Sequence, residues 1–459
     1  MSLDPQNLIW VMPAKGGGVE SERTWGITPV PDRLRTLSGL DTGLLWGNLG
    51  ISLLVLFAGT FLAGLGLQRA LAAIVLGAVL GTALLGLAGL IGFERRVPGM
   101  VLMRAPLGRR GSYAPTVLNV AQNIGWAVFE LFVISLAANA LAAELFGFRE
   151  RWVWVLVFGA LTTLLALAGP ISFVRRYVRR FAVWIVAASV GYLVWWALDG
   201  ADVSGLWGAS GEGGIGFWAG VDLTVVMAAS WLPLAADYTR FSRSGGAAFW
   251  GTAVGYFVPL VLLYGLGALL LLSRGLADTT SLFTAIAAGG AASAVALLAL
   301  TVDETDEPFA NVYSAAVSLQ NLFPGAPQRV LVLLVAGLAT LGAWRVDIVA
   351  YESFLFLLGS FFVPLFGVLA ADFLLGAERE TAVRWSGVGA WLAGFALYQW
   401  IHPAGPAWWT GLFDGLPGVA EFTGGASLPA FALAFALYAA LRSAHAPLGR
   451  RRARLAGSR

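Results

Sequence analysis

Between residues 291 and 322 a long apolar stretch is interrupted by TVDETDEPFANVYS (Thr301–Ser314), and this interruption constrains the fold more than any other feature. Asp303, Glu304, Asp306 and Glu307 stand there with Pro308 and Asn311, between Ala291–Leu300 and the run Ala315, Ala316, Val317 and Leu319. Neither flank can cross a bilayer alone, since a crossing takes about 20 apolar residues. One interrupted helix over 292–322 with a polar site at depth therefore fits better than two short helices joined by a solvated loop. A charged side chain at the bilayer centre costs about 2.5–3.5 kcal/mol on insertion scales, so such acids face a cavity or a partner and mark function.

Composition supports the membrane setting. Of 459 residues, 58% are hydrophobic and 12% charged, whereas soluble domains carry about 25% charged residues. The expected fold class is an all-α integral membrane protein with about 12 transmembrane helices. Spans are expected at 44–65, 71–93, 115–141, 152–169, 181–198, 218–236, 247–272, 292–322, 329–344, 350–375, 385–400 and 427–441. The first forty residues hold no apolar core of the signal-peptide kind and are expected to form a polar leader. With the amino terminus inside, the inner loops and both tails hold 24 of the 29 Lys and Arg residues, as the positive-inside bias requires. The expected location is the cell membrane, crossed many times, with both termini cytoplasmic. The net charge of +3 is then no nucleic-acid surface. The absence of Cys excludes disulfides and thiolate metal sites, and the two histidines, His402 and His445, make no cluster. No cofactor and no obligate protein partner are expected; the partners are the lipid bilayer and a small molecule.

Many transporters bind substrate and ions where helices are discontinuous at equivalent positions of an internal repeat, because unwound backbone exposes its polar groups. The first span reads LLWGNLGISLLVLFAG and carries Gly47, Asn48, Gly50 and Ser52; the sixth reads VVMAASWLPLAAD and carries Ser230, Trp231 and Pro233. Two interrupted helices five spans apart point to a repeat. On the third span Gln122, Trp126 and Glu130 recur every four residues and share a face, with Asn123 beside it. A Trp beside a carboxylate and two amides can stack a flat heterocycle and pair with its ring nitrogens and carbonyls. Interhelical hydrogen bonding alone would account for Gln122 and Asn123 but poorly for a buried Glu130. Candidate substrate contacts are therefore Trp126, Glu130, Asn311, Gln122, Asn48, Ser52 and Trp231. The third and eighth spans are also five apart, so both repeats would aim carboxylates at one centre.

Three further runs are informative in their order and spacing: Glu20 followed by GITPVPDRLRT (Gly26–Thr36), ADYTRF (Ala236–Phe241) and FANVYSAAVSLQN (Phe309–Asn321). In these the chain resembles the nucleobase–cation symporter family, in its purine–cytosine permease branch. The resemblance implies a LeuT-like fold: a leader (1–43), two inverted five-helix repeats (44–198 and 199–376), two additional helices (377–441) and a basic tail (442–459). It implies a substrate site between the first, third, sixth and eighth helices, with Trp126, its polar partner Glu130, and Asn311. It also implies a cation site, such as one for Na+, at Thr305 and Asp306, completed by backbone carbonyls near Gly47, Gly50 and Ile51. A sodium-type relative would carry Ser or Thr in place of Asp306, and a hydantoin-carrying relative an amide in place of Glu130.

The expected function is secondary active import of a nucleobase-like heterocycle (cytosine, another purine or pyrimidine, or hydroxymethylpyrimidine) by cation symport with alternating access. The coupling ion is H+ or Na+, and the acid at 306 favours the proton. A transporter of hydantoin, allantoin or a vitamin precursor with the same fold is the near alternative. A membrane-embedded acid hydrolase would also use paired carboxylates, but these acids are interleaved with amides and aromatics suited to recognition, and no enzyme is expected. A channel would need a ring of like charges rather than one asymmetric cluster.

Overall fold

The computed structural model describes residues 29–168, 172–276, 278, 281–323, 326–347, 349–376, 381–414 and 424–444. Glu20, the start of the leader motif and the basic tail beyond residue 444 lie outside them, as does the Asp306 side chain. Among the described residues the chain is helical, with a single isolated bridge between Leu37 and Ser242.

The first span is broken. Helix α1 (Gly39–Leu49) is followed by α2 (Leu53–Gly59), which tightens into a 3-10 turn over Thr60–Leu65, and the two halves are bent by 68°. Ser38 starts α1 with a capping box: its hydroxyl accepts from the Asp41 amide at 3.1 Å, and the Asp41 carboxylate accepts from the Ser38 amide at 2.9 Å. At Gly50 a Cβ would stand 2.5 Å from Pro259 Cγ, so only glycine lets the break approach its neighbour this closely. Ser52 is extended (φ −148°, ψ 146°), and its hydroxyl restarts the helix by accepting from the Leu54 amide at 3.0 Å.

Helix α3 (Leu67–Arg95) leads to α4 (Tyr113–Phe146), α5 (Arg151–Ala168) and α6 (Ser172–Leu198). The sixth span is divided at Ser230 and Trp231 into α7 (Phe217–Ala229) and α8 (Leu232–Thr239). Pro233 falls in the first turn of α8, where its missing N–H costs nothing. After α9 (Gly245–Ser273) and a short α10 (Ser281–Ala288), the eighth span divides into α11 (Ala291–Asp303) and α12 (Asp306–Leu322), with the turn at Glu304 and Thr305. Helices α13 (Gln328–Arg345), α14 (Val349–Leu375), α15 (Trp385–Ile401) and α16 (Ser427–Ala444) complete the chain.

The interrupted eighth helix expected from the acidic stretch is thus present, and every expected span falls on a helix in the expected order. Among the described residues, seven helical segments are long and apolar enough to cross a bilayer, and the bent first pair makes an eighth; twelve crossings remain an expectation.

The helices form two packed groups. In one, α3 runs along α7 and α9, and α9 packs on α1 and α2. Small residues allow this approach: at Gly81 on α3 a Cβ would meet the Val225 carbonyl at 2.9 Å. In the other, α4, α5, α12 and α13 share a separate apolar core that includes Ala127, Leu131, Val312 and Val335. The broken helices of the first group face α4 and α12 of the second, and the polar residues gather at this junction.

Helix α16 is fastened at both ends. The Asp222 carboxylate on α7 accepts from the Ala426 and Ser427 amides at its start, where the helix dipole favours an anion. In its last turn, Arg442 pairs with Asp372 on α14 at 2.7 Å, and Tyr438 donates to the same carboxylate at 2.8 Å.

Candidate substrate and ion site

A pocket lies where the helix breaks meet. The first break supplies Leu49, Ser52, Leu54 and Val55. Helix α4 supplies Trp126 and Glu130, and the α7–α8 junction supplies Met227, Ser230, Trp231 and Leu234. Tyr256 closes it from α9, and Glu307 and Asn311 from α12.

Five candidates from the sequence, Trp126, Glu130, Asn311, Ser52 and Trp231, are therefore brought to one cavity. Glu130 is 5% exposed, and its two oxygens accept from Asn311 Nδ2 at 2.9 and 3.1 Å. The same amide nitrogen reaches the Glu307 carbonyl one turn back at 3.3 Å. Opposite, the Trp231 indole N–H donates to the Tyr256 hydroxyl at 3.0 Å. Fully buried Trp46 stands edge-on to Trp231, Tyr238 and Tyr256, with ring centroids 5.8–6.2 Å apart. The Trp126 ring meets Phe354 and Tyr351 edge-on, at 5.5 and 6.4 Å. Such T-shaped contacts hold a ring in one plane.

Gln122 and Asn48 are not among the pocket-lining residues. Gln122 shares the helical face of Trp126 and Glu130, but its amide nitrogen donates to Asn119 Oδ1, three residues away, at 2.8 Å. Asn48 lies in the last turn of α1, and its carbonyl accepts from the Ile51 amide at 3.2 Å. Of the candidate ion ligands, Gly47 belongs to α1 while Gly50 and Ile51 form the break itself. Thr305 sits at the second break, its hydroxyl donating to the Val302 carbonyl at 2.8 Å. Asp306 opens α12.

Glu304, one of the four acids of the interrupted stretch, is not among the candidate contacts named from the sequence. It is 2% exposed and stands at the α11–α12 turn. Oε1 accepts from the Ser52 hydroxyl at 2.7 Å, and Oε2 accepts from the Leu53 amide at 2.7 Å. One carboxylate thus ties the break in the eighth span to the break in the first, at the N-terminus of α2, where backbone amides and the helix dipole receive an anion. Spacing carried a signal for it. Glu304, Glu307 and Asn311 fall at i, i+3 and i+7, one helical face, whereas Thr305 and Asp306 do not share it.

Residues 29–386 match the family described as permeases for cytosine/purines, uracil, thiamine and allantoin. A hydantoin permease of Microbacterium maritypicum is 27% identical over 307 residues, 62% of this chain, and the match spans just under two thirds, 62%, of that relative. A cytosine permease of Escherichia coli (strain K12) is 24% identical over 383 residues, 81% of this chain and 88% of the relative. Among solved structures, Mhp1, a nucleobase-cation-symport-1 family transporter, closed with bromovinylhydantoin bound, superposes with a TM-score of 0.70 at 20% identity, covering 90% of this chain and 93% of the other. Its inward-facing conformation gives 0.74 at 19% identity, covering 91% and 94%. The likeness to these two structures establishes the fold, which is LeuT-like. With most of its length matched by the family, the chain belongs to the permeases for cytosine/purines, uracil, thiamine and allantoin.

Proposed function

We propose that this protein imports a nucleobase-like heterocycle through the cell membrane by cation symport with alternating access. The observation that carries the reading is the pocket in which Trp126, Glu130 and Asn311 face Ser230 and Trp231 across the junction of three broken helices. Breaks in the first and sixth spans, five apart, support two inverted five-helix repeats over 44–198 and 199–376, with two added helices after them. The coupling cation, H+ or Na+, is assigned to the adjoining breaks, with Thr305, Asp306 and the backbone at Gly47, Gly50 and Ile51. Cytosine and related bases are the first substrates to test; hydantoin is a second candidate, because a hydantoin permease is among the relatives. Saturable uptake of radiolabelled cytosine or hydantoin, with the label recovered chemically unchanged, tests the reading. Uptake no greater than in cells lacking the protein, across a panel of heterocycles, would refute it.

Trp126 serves as the stacking surface. Stacking of a base on an aromatic side chain is worth about 1–3 kcal/mol, so Trp126→Ala is expected to weaken substrate binding about tenfold or more while the protein still inserts. Unchanged affinity in folded Trp126→Ala protein would remove this role.

Glu130 reads the edge of the ring. A site built on hydrogen bonds rejects analogues that leave its groups unpaired. Glu130→Gln, which turns an acceptor pair into one acceptor and one donor, is expected to reorder the preferred heterocycles rather than weaken all of them equally. Superimposable competition profiles for variant and parent would make Glu130 structural.

A further inference from the structure

Helix α4 carries a polar stripe that continues past the pocket. At about 100° per residue, Asn119, Gln122, Asn123, Trp126 and Glu130 fall within about a third of the helix circumference. Trp126 and Glu130 line the pocket, and the three amides do not. The stripe therefore leaves the pocket toward the start of α4, with Gln122 about 6 Å along the axis from Trp126. That end of α4 joins the connection carrying Arg104, Arg109 and Arg110, and a short Arg-rich connection is the mark of an inner loop.

The amides are buried but poorly matched. Gln122 and Asn123 are each 1% exposed. Gln122 Nε2 donates to Asn119 Oδ1 at 2.8 Å, but Gln122 Oε1 has no hydrogen-bond partner, and neither Oδ1 nor Nδ2 of Asn123 has one. Among the described residues Asn123 alone leaves two buried polar side-chain atoms unpaired. A buried amide without partners bears its full desolvation cost, and in a native protein such a group calls for a ligand or another functional cause. Interhelical bonding is no explanation, because these atoms make no such bond. Helix α12 packs on α4 and extends the pattern: Ser314 and Ser318 follow Asn311 at i+3 and i+7, on its face. In the inverted repeats proposed above, α4 and α12 are equivalent spans and run in opposite directions. With Asn311 against Glu130 at 2.9 Å, this register sets Ser314 at the level of Trp126 and Ser318 at that of Asn123.

We propose, resting on the transport reading above, that Asn123 and Gln122 form a second, inner subsite for the transported heterocycle, one helical turn beyond Trp126 on the release path. The subsite is shut in this structure. When the inner side opens, the ring leaves Trp126 and its polar edge meets the two amides. Asn123 supplies one donor and one acceptor and Gln122 a further acceptor, so the subsite suits a ring that carries a carbonyl beside an N–H. The unpaired amides also favour opening, because only then do they find partners.

The test is sided. Exchange of radiolabelled cytosine, or of hydantoin where the parent carries that ring instead, is measured in right-side-out and inside-out vesicles containing the full-length protein. Asn123→Leu keeps the size of the side chain and removes both polar atoms. It is expected to raise the half-saturating concentration about tenfold from the inner face and to leave it within about twofold from the outer face. Asn123→Ser, which keeps a hydroxyl, should fall between. Because the leucine strands no partner, the thermal midpoint of the purified variant should hold or rise. Half-saturation from the inner face equal to the parent's would overturn the proposal. A rise confined to the outer face would also overturn it, as would an equal rise from both, which would place Asn123 in the central pocket. A lowered midpoint with loss from both faces would make the amides structural. Parent vesicles that exchange neither ring, nor any other of a heterocycle panel, would overturn the transport reading and the proposal together.

Discussion

Glu304→Ala is expected to reduce heterocycle uptake by at least about a hundredfold in protein that still reaches the membrane. Between membrane helices a neutral hydrogen bond averages only about 0.6 kcal/mol. Here the acceptor is a buried carboxylate, and hydrogen bonds to charged groups contribute about 1.5–3 kcal/mol each. Both of its oxygens are used, one on the Ser52 hydroxyl and one on the Leu53 amide, each at 2.7 Å. Without them the first turn of α2 keeps an unanswered amide, and the first and eighth spans lose the contact that holds their breaks in register. The pocket is built from residues on both sides of that contact, so its geometry fails with it. Glu304→Gln keeps one acceptor oxygen and the shape of the side chain, and should fall between parent and alanine variant. Uptake by Glu304→Ala within about threefold of the parent would show that the tie is dispensable.

The second large effect is on stability. Asp372 and Arg442 form a 2.7 Å ion pair whose side chains are 3% and 7% exposed, and Arg442 also donates to the carbonyls of Asp372 and Gly376. Removing one member of a buried pair strands the other, at about 3–5 kcal/mol. Arg442→Ala should therefore lower the thermal midpoint of the purified protein sharply and loosen α16 from α14. The double replacement Asp372→Leu with Arg442→Met removes both charges and leaves apolar volume, and should recover most of the loss. A double variant as unstable as Arg442→Ala would mean that the polar contacts, rather than the stranded charge, set the cost.

The helix breaks were legible because their causes are local. Gly50 and Ser52 interrupt an apolar run, Pro233 starts a helix, and the acids at 303–307 cannot sit on a lipid-facing surface. Positions that depend on partners distant in the chain were not legible. Glu304 is defined by Ser52, 252 residues earlier, and in the sequence it is one of the four acids of the same stretch. Asp222 likewise reads as an acid near the start of an apolar helix until α16, 204 residues on, places its amides against it. Gln122 is a different case. It shares the helical face of Trp126 and Glu130, but a local amide partner, Asn119, takes its nitrogen, and periodicity carries no record of such competition. Tyr256 enters the site through α9, whose sequence around it is apolar and carries no signal for a pocket.

In the proposed mechanism, substrate movement is coupled to a cation gradient. Purified protein in proteoliposomes, supplied with radiolabelled substrate under an imposed pH gradient, an imposed sodium gradient or neither, tests it most directly. Accumulation above the outside concentration is expected under one of the two gradients, with simple equilibration when neither is present and loss of uphill accumulation, with partial exchange retained, in Asp306→Asn. Accumulation that ignores both gradients, or an Asp306→Asn variant that concentrates substrate as well as the parent, would contradict it.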